Sequence, residues 1–172
     1  MPAEFDDTRL TAMGLLVETY GGVTARLDAV HAAHGLSGTD FDVLIRLARS
    51  PEQRLRMSDL ATQTGLSTSG ITRIVDRLER NGFAARQSHP ADRRALLAVL
   101  TDHGRSRLTE LMPPLLAEIE HWLTGPLEPT QLTALLDALR TIRAEVRPGA
   151  TAAAPDTPTS AEQLPPTRRR EP

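Results

Sequence analysis

Two short stretches hold the residues whose types and spacing point to specific chemistry. One is residues 66–82, "LSTSGITRIVDRLERNG", and the other is residues 89–100, "HPADRRALLAVL". Their reactive groups are hydroxyls, carboxylates and guanidiniums, which suit bidentate hydrogen bonding to oxyanions and flat polar edges rather than covalent catalysis. The chain has no cysteine, which removes disulfides, thiolate nucleophiles and thiolate metal sites. It has no lysine either: all twenty basic residues are arginine, so Schiff-base chemistry is excluded. Among the five histidines only His31 and His34 share a helix face at short spacing, and a metal there would need distant ligands. No Ser-His-Asp spacing, glycine-rich phosphate loop or paired carboxylates stand out. The sequence predicts a binding protein, not an enzyme, with no metal and no cofactor.

Charge is divided unevenly along the 172 residues. Residues 1–53 carry −4, residues 54–107 carry +5 and residues 108–172 carry −3. A basic centre between acidic ends is the footprint of a nucleic-acid reader whose flanks serve another purpose; a solvated arginine face is the plainer alternative. The longest apolar runs are too short to span a bilayer, and "MPAEFDDTRL" has neither the basic nor the apolar region of a secretory signal. A cytoplasmic protein with no membrane association is expected.

The elements that must position these groups follow from periodicity. Leu10, Met13, Leu16, Val17, Tyr20, Val23, Leu27 and Val30 recur at three- and four-residue spacing, predicting a helix over 9–34 that Gly21-Gly22 weakens or bends. Ser37 and Asp40 have capping-box spacing ahead of Phe41, Val43, Leu44 and Leu47. Ser58 can cap a short helix, and Gly65-Leu66-Ser67 turns the chain into the next. In that helix Ile71, Ile74, Val75 and Leu78 form the apolar stripe, while Ser69, Arg73, Asp76, Arg77 and Arg80 point away from it. Asn81-Gly82 supplies the stop. A short helix, a glycine turn and a helix with a polar outer face is a helix-turn-helix, or else an ordinary amphipathic hairpin with a solvated face.

The following residues favour the first reading. Phe83–Ser88 and Ala95–Leu100 can pair as antiparallel strands, a wing, around the loop that holds Arg93 and Arg94. Pro90 stiffens this loop, Asp92 can hold one guanidinium, and the other can enter a narrow, electronegative minor groove. Further on, Leu132, Leu135, Leu136, Leu139, Ile142 and Val146 keep helical spacing, and either the first helix or a partner chain can cover them. Pro113-Pro114 predicts a kink or break near Met112. Residues 148–172, with six prolines, cannot assemble a core and are expected to be disordered.

The segment "LSTSGITRIVDRLERNGFAARQSHPADRRALLAVLTDHGR" resembles the multiple antibiotic resistance regulator (MarR) family, with its Asp-Arg-Arg wing and its Thr-x-x-Gly helix start. The likeness extends with lower specificity over residues 8–147. It implies a mainly α fold with a small β-wing: a winged helix-turn-helix over 55–101, and dimerisation helices at 8–35 and 102–147 in one domain spanning 1–147. It implies a homodimer that binds a pseudo-palindromic operator in double-stranded DNA and regulates transcription, as a repressor released by a small molecule. By this resemblance Ser67, Thr68, Ser69, Thr72 and Arg73 face bases and phosphates, with Arg77 and Arg93 also assigned to DNA. Asp92 braces Arg94 for the minor groove, and Asp76 orients wing arginines. A pocket for an aromatic acid or phenol is implied where the first two helices meet the helix after the wing, with Tyr20, His31, His34 and Arg46 as lining candidates. The alternative is a constitutive architectural or protein-interaction dimer with no ligand response.

Overall fold

The computed structural model describes residues 3–90 and 92–151. The chain is mainly helical with one small antiparallel sheet, as expected. Helix α1, Thr8–Ala33, starts at Asp7, whose carboxylate accepts the N–H of Arg9 at 2.8 Å, and it runs without interruption through Gly21-Gly22. Helix α2, Gly38–Arg49, has the predicted capping box: Ser37 Oγ accepts the N–H of Asp40, and the Asp40 carboxylate accepts the N–H of Ser37.

Three residues, Arg54–Arg56, form strand β1, too short to leave a period in the sequence. Helix α3, Met57–Thr64, follows directly, with Arg56 rather than Ser58 at its N-cap. Gly65, at φ +69°, makes the turn into helix α4, Thr68–Arg80. Strands β2, Ala84–His89, and β3, Asp92–Leu100, form the wing, and β3 lies centrally between β1 and β2. The register places Ala84 opposite Leu100 and His89 opposite Asp92, with an irregularity after Ser88.

One core serves all these elements. Val43, Leu44 and Leu47 of α2, Leu60 of α3, Ile71, Val75 and Leu78 of α4 and Leu111 of the next helix are fully buried. That next helix, α5, spans Asp102–Ile119. The Thr-x-x-Gly element at its start has a steric basis. Thr101 Oγ1 accepts the N–H of Gly104 at 3.0 Å and donates to the carbonyl of Gly82 at 2.7 Å, drawing the helix start onto the wing. A Cβ on Gly104 would lie 2.1 Å from the carbonyl oxygen of Phe83, so only glycine fits.

The break expected near Met112 does not occur: α5 is continuous through Pro113-Pro114. Both prolines sit on the exposed side, while Leu108, Leu111 and Leu115 anchor the helix to the core on either side of them. The lost backbone bonds cost up to ~3 kcal/mol, of the order that burying one or two such leucines offsets. The irregularity comes later, as a π-helical turn at Glu120–Thr124.

Helix α6, Pro129–Val146, buries Leu132 and leaves Leu136, Leu139, Ile142 and Val146 exposed. The intrachain part of the expected cover is missing: among the described residues α6 has no extended packing on α1, whose main neighbour is α5. Pro148–Thr151, expected in the unstructured tail, forms a 3-10 turn against α3. The remainder of that tail, with Arg168-Arg169-Arg170, lies outside the described residues.

Candidate nucleic-acid interface

Helix α4 is built to present one polar face. Ser67 Oγ caps it by accepting the N–H of Gly70 at 3.1 Å and lies 3.1 Å from Ser69 Oγ. Thr72 Oγ1 donates to the carbonyl of Thr68 at 2.8 Å. Ile71, Ile74, Val75 and Leu78 bury the opposite face, so Thr68, Ser69, Thr72, Arg73 and Arg80 are held outward on a rigid base. The exposed side chain of Arg73 makes no hydrogen bond or ion pair with another described residue, so its guanidinium is available to a ligand.

Arg77 lies elsewhere than its assignment to DNA requires. Its Nη2 and Nε donate to Oδ1 of Asp40 at 2.6 and 3.0 Å, across to α2. The Asp40 carboxylate is buried while the Arg77 side chain is half-exposed, so the pair ties one edge of α4 to α2. Rotation by 100° per residue could not show this, because Asp40 is 37 positions away and its capping role looked complete.

Asp76 does hold a wing arginine, and it is Arg86. Arg86 Nη1 lies 2.8 Å from the Asp76 carboxylate and also pairs with Glu79, whose Oε1 accepts the backbone N–H of Arg86 at 2.6 Å. Arg86 Nη2 further donates to the carbonyl of Thr72 at 3.1 Å. One guanidinium therefore offsets the two acids on this edge of α4 and ties the helix to the wing. Sequence reasoning missed Glu79 and Arg86. The available signal was the spacing of 72, 76 and 79 on one helix edge, followed by a turn that brings β2 alongside.

Asp92 begins β3 opposite His89, and Arg56 Nη2 approaches His89 Nε2 at 3.4 Å. The side chains of Arg93 and Arg94, and all of Ala91, lie outside the described residues, so the bracing of Arg94 by Asp92 does too. Between α3, α4 and the wing lies a concave surface lined by Arg56, Ser58, Thr68, Thr72, Arg86 and Leu96.

The four pocket candidates do not converge. Tyr20 is 70% exposed on α1. His31 is buried and stacked on Phe41 at 4.9 Å, with Asp28 3.7 Å away. His34 Nδ1 lies 2.9 Å from the carbonyl of Val30. Arg46 is engaged by Asp42 and by the carbonyl of Ala150, both at 2.9 Å. An open groove between α1 and α5 is lined by Arg26, Val30, His34, Pro114 and Glu118, and of the four it includes only His34. No cluster of three or more metal-ligating side chains occurs among the described residues, and no helix among them is long and apolar enough to cross a membrane.

A capped polar helix, a glycine turn and a braced β-wing define a winged helix-turn-helix protein. The MarR family model matches residues 34–95. The curated relative YkoM of Bacillus subtilis, an HTH-type transcriptional regulator, is 35% identical over 105 residues, 60% of this chain and 67% of its own. The repressors YetL of B. subtilis and MprA of Escherichia coli match at 34% and 37%, over about half of their lengths. Among solved structures, AbsC of Streptomyces coelicolor superposes with a TM-score of 0.77 at 33% identity, over 83% of this chain and 96% of its own. Sco3205 of the same organism, solved in complex with DNA, gives 0.76 at 28%, over 81% and 88%. The chain belongs to the MarR family of transcriptional regulators.

Proposed function

We propose that the chain is a homodimeric, sequence-specific reader of double-stranded DNA that represses transcription in the cytoplasm and is released by a small molecule. The observation that carries this reading is the outward face of α4, with Thr68, Ser69, Thr72 and Arg73 held on a helix that is anchored at one edge by Arg77 and Asp40 and braced at the other by Arg86. Ser67 caps that helix. The wing, with Asp92, Arg93 and Arg94, serves the adjacent minor groove. Structural similarity to Sco3205, which was solved with DNA, supports the binding mode, and the relatives YetL and MprA support repression. The exposed apolar residues of α1 and α6 support a dimer, because such stripes are covered in stable assemblies.

Two reading heads related by a two-fold axis call for half-sites about 10–10.5 bp apart, or a multiple of that. DNA selected from genomic fragments and footprinted tests this. A protected pseudo-palindrome is expected, and a single asymmetric site bound by one subunit overturns the reading.

Ligand release is supported by CouR of Rhodococcus jostii, solved with p-coumaroyl-CoA and 26% identical over 76% of this chain, with a TM-score of 0.65. The open α1–α5 groove beside His34 is the place to seek it, and an aromatic acid or phenol is the class to try. Coupling between sites is reciprocal, so an effector that weakens DNA binding must bind the DNA-loaded protein more weakly by the same factor. Calorimetry with and without operator reads this factor. Equal affinity in both states across such a library favours the constitutive alternative, which the scatter of Tyr20, His31 and Arg46 away from the groove also supports.

A further inference from the structure

The segment that follows α6 turns back onto the reading head. Arg147, at the C-cap of α6, donates through Nη2 to the carbonyl of Gln63 at 3.2 Å. Its guanidinium lies over Gly65, where a Cβ would stand 2.6 Å from Nη2. A Cβ on Gly149 would stand 2.8 Å from Cγ2 of Thr62, and Arg46 Nη1 donates to the carbonyl of Ala150 at 2.9 Å. Residues 147–150 thus grip the last turn of α3 and the glycine turn, two residues before the Ser67 cap of α4. Arg46, with Asp42 and the buried Gln63 beside it, closes the grip from α2.

This gives α6 two attachments to the head. One is covalent, through α5 and the π-helical turn, and the other is this strap. The rest of α6 carries the exposed stripe assigned above to the partner subunit. A helix held at one end can swing, whereas one held at both carries the geometry of the interface to the helix-turn-helix.

We propose that Arg147 is a positioning residue: with Pro148–Thr151 it clamps the dimerisation helix to the turn before the recognition helix and so sets the spacing and angle of the two reading heads. This rests on the dimeric DNA-binding reading, and the test separates the two. Because the chain lacks cysteine, Asn81→Cys places one spin label per subunit at the end of α4. In the DNA-free full-length protein, pulsed dipolar spectroscopy is expected to give a narrow distance distribution. Adding Arg147→Ala broadens it, and Arg147→Lys, which keeps a cationic N–H donor for the Gln63 carbonyl, restores it in part. On operators with one base pair added or removed between half-sites, Arg147→Ala reduces the discrimination against wrong spacing by roughly twofold to thirtyfold, with nonspecific binding and Tm unchanged.

An unchanged distribution in Arg147→Ala overturns the proposal, as does broadening that accompanies a general loss of thermal stability. If the parent shows no inter-subunit distance, the dimer reading fails and the proposal falls with it. If the parent dimerises but selects no DNA, only the DNA reading fails and the distance distribution still decides the strap.

Discussion

The carboxylate of Asp40 closes the capping box of α2 and at the same time accepts hydrogen bonds from Nε and Nη2 of Arg77 on α4. A single buried acid therefore ties the recognition helix to the helix behind it. Arg77→Ala strips the guanidinium from a buried charge that keeps only its Ser37 donors. Hydrogen bonds to charged groups are worth about 1.5–3 kcal/mol, and the partial exposure of Arg77 reduces this to about 1–2. Urea denaturation is expected to show that loss, and DNA affinity is expected to fall evenly across sequences. A change confined to one base position would return Arg77 to base reading.

Arg73 and Arg94 are expected to separate two kinds of readout. Arg73→Ala costs about 1–3 kcal/mol of operator binding and relaxes the preference at one base position per half-site. Arg94→Ala weakens binding and reduces the preference for narrow A·T-rich flanks, with dimer and Tm unchanged. If Arg94→Ala binds like the parent across a salt series, the wing does not contact DNA.

Gly104→Ala tests the close approach of α5 to Phe83. A methyl 2.1 Å from a carbonyl oxygen forces the backbone apart, and overpacking of this kind costs about 1–3 kcal/mol or more. Thermal melting is expected to register this although only one carbon is added to a helix, where alanine is ordinarily the favoured residue. An unchanged Tm would show that the wing and α5 can separate without cost.

Leu139 and Ile142 are 41% and 49% exposed in the single chain, where substitution by glutamate would be nearly harmless. In a dimer seam the same change buries charge. Leu139→Glu with Ile142→Glu is expected to yield a folded monomer by sedimentation, with operator affinity reduced to that of one half-site. A dimer that survives both changes places the interface elsewhere.

Local structure was legible wherever the information lies within a few residues. The Ser37–Asp40 capping box and the apolar stripe of α4 depend on spacings of three or four positions and were found where periodicity put them. The wing pairs as expected except that β3 starts at Asp92 rather than Ala95, which puts residues 92–94 in the strand instead of the loop. The polar outer face of α4 was legible for the same reason, apart from Arg77. The misses share a different cause. Strand β1 exists because β3 offers it an edge, and three residues cannot announce that in advance. Helix α5 survives two prolines because leucines before and after them are anchored to other elements, a condition absent from the helix's own sequence.

The amino-acid sequence by itself determined the main helices and the wing, the polar face, the absence of thiol and lysine chemistry, and the likeness to the MarR family. Tertiary structure alone decided which partner each charge takes. Arg77 goes to Asp40, Arg86 to Asp76 and Glu79, and Arg46 and Arg147 to backbone carbonyls of segments far along the chain. The physical reason is that helical and strand periods follow from local backbone geometry, which each residue shares with its near neighbours. A long guanidinium side chain instead reaches whichever acceptor folding brings within about 3 Å, and that proximity is a property of the whole chain.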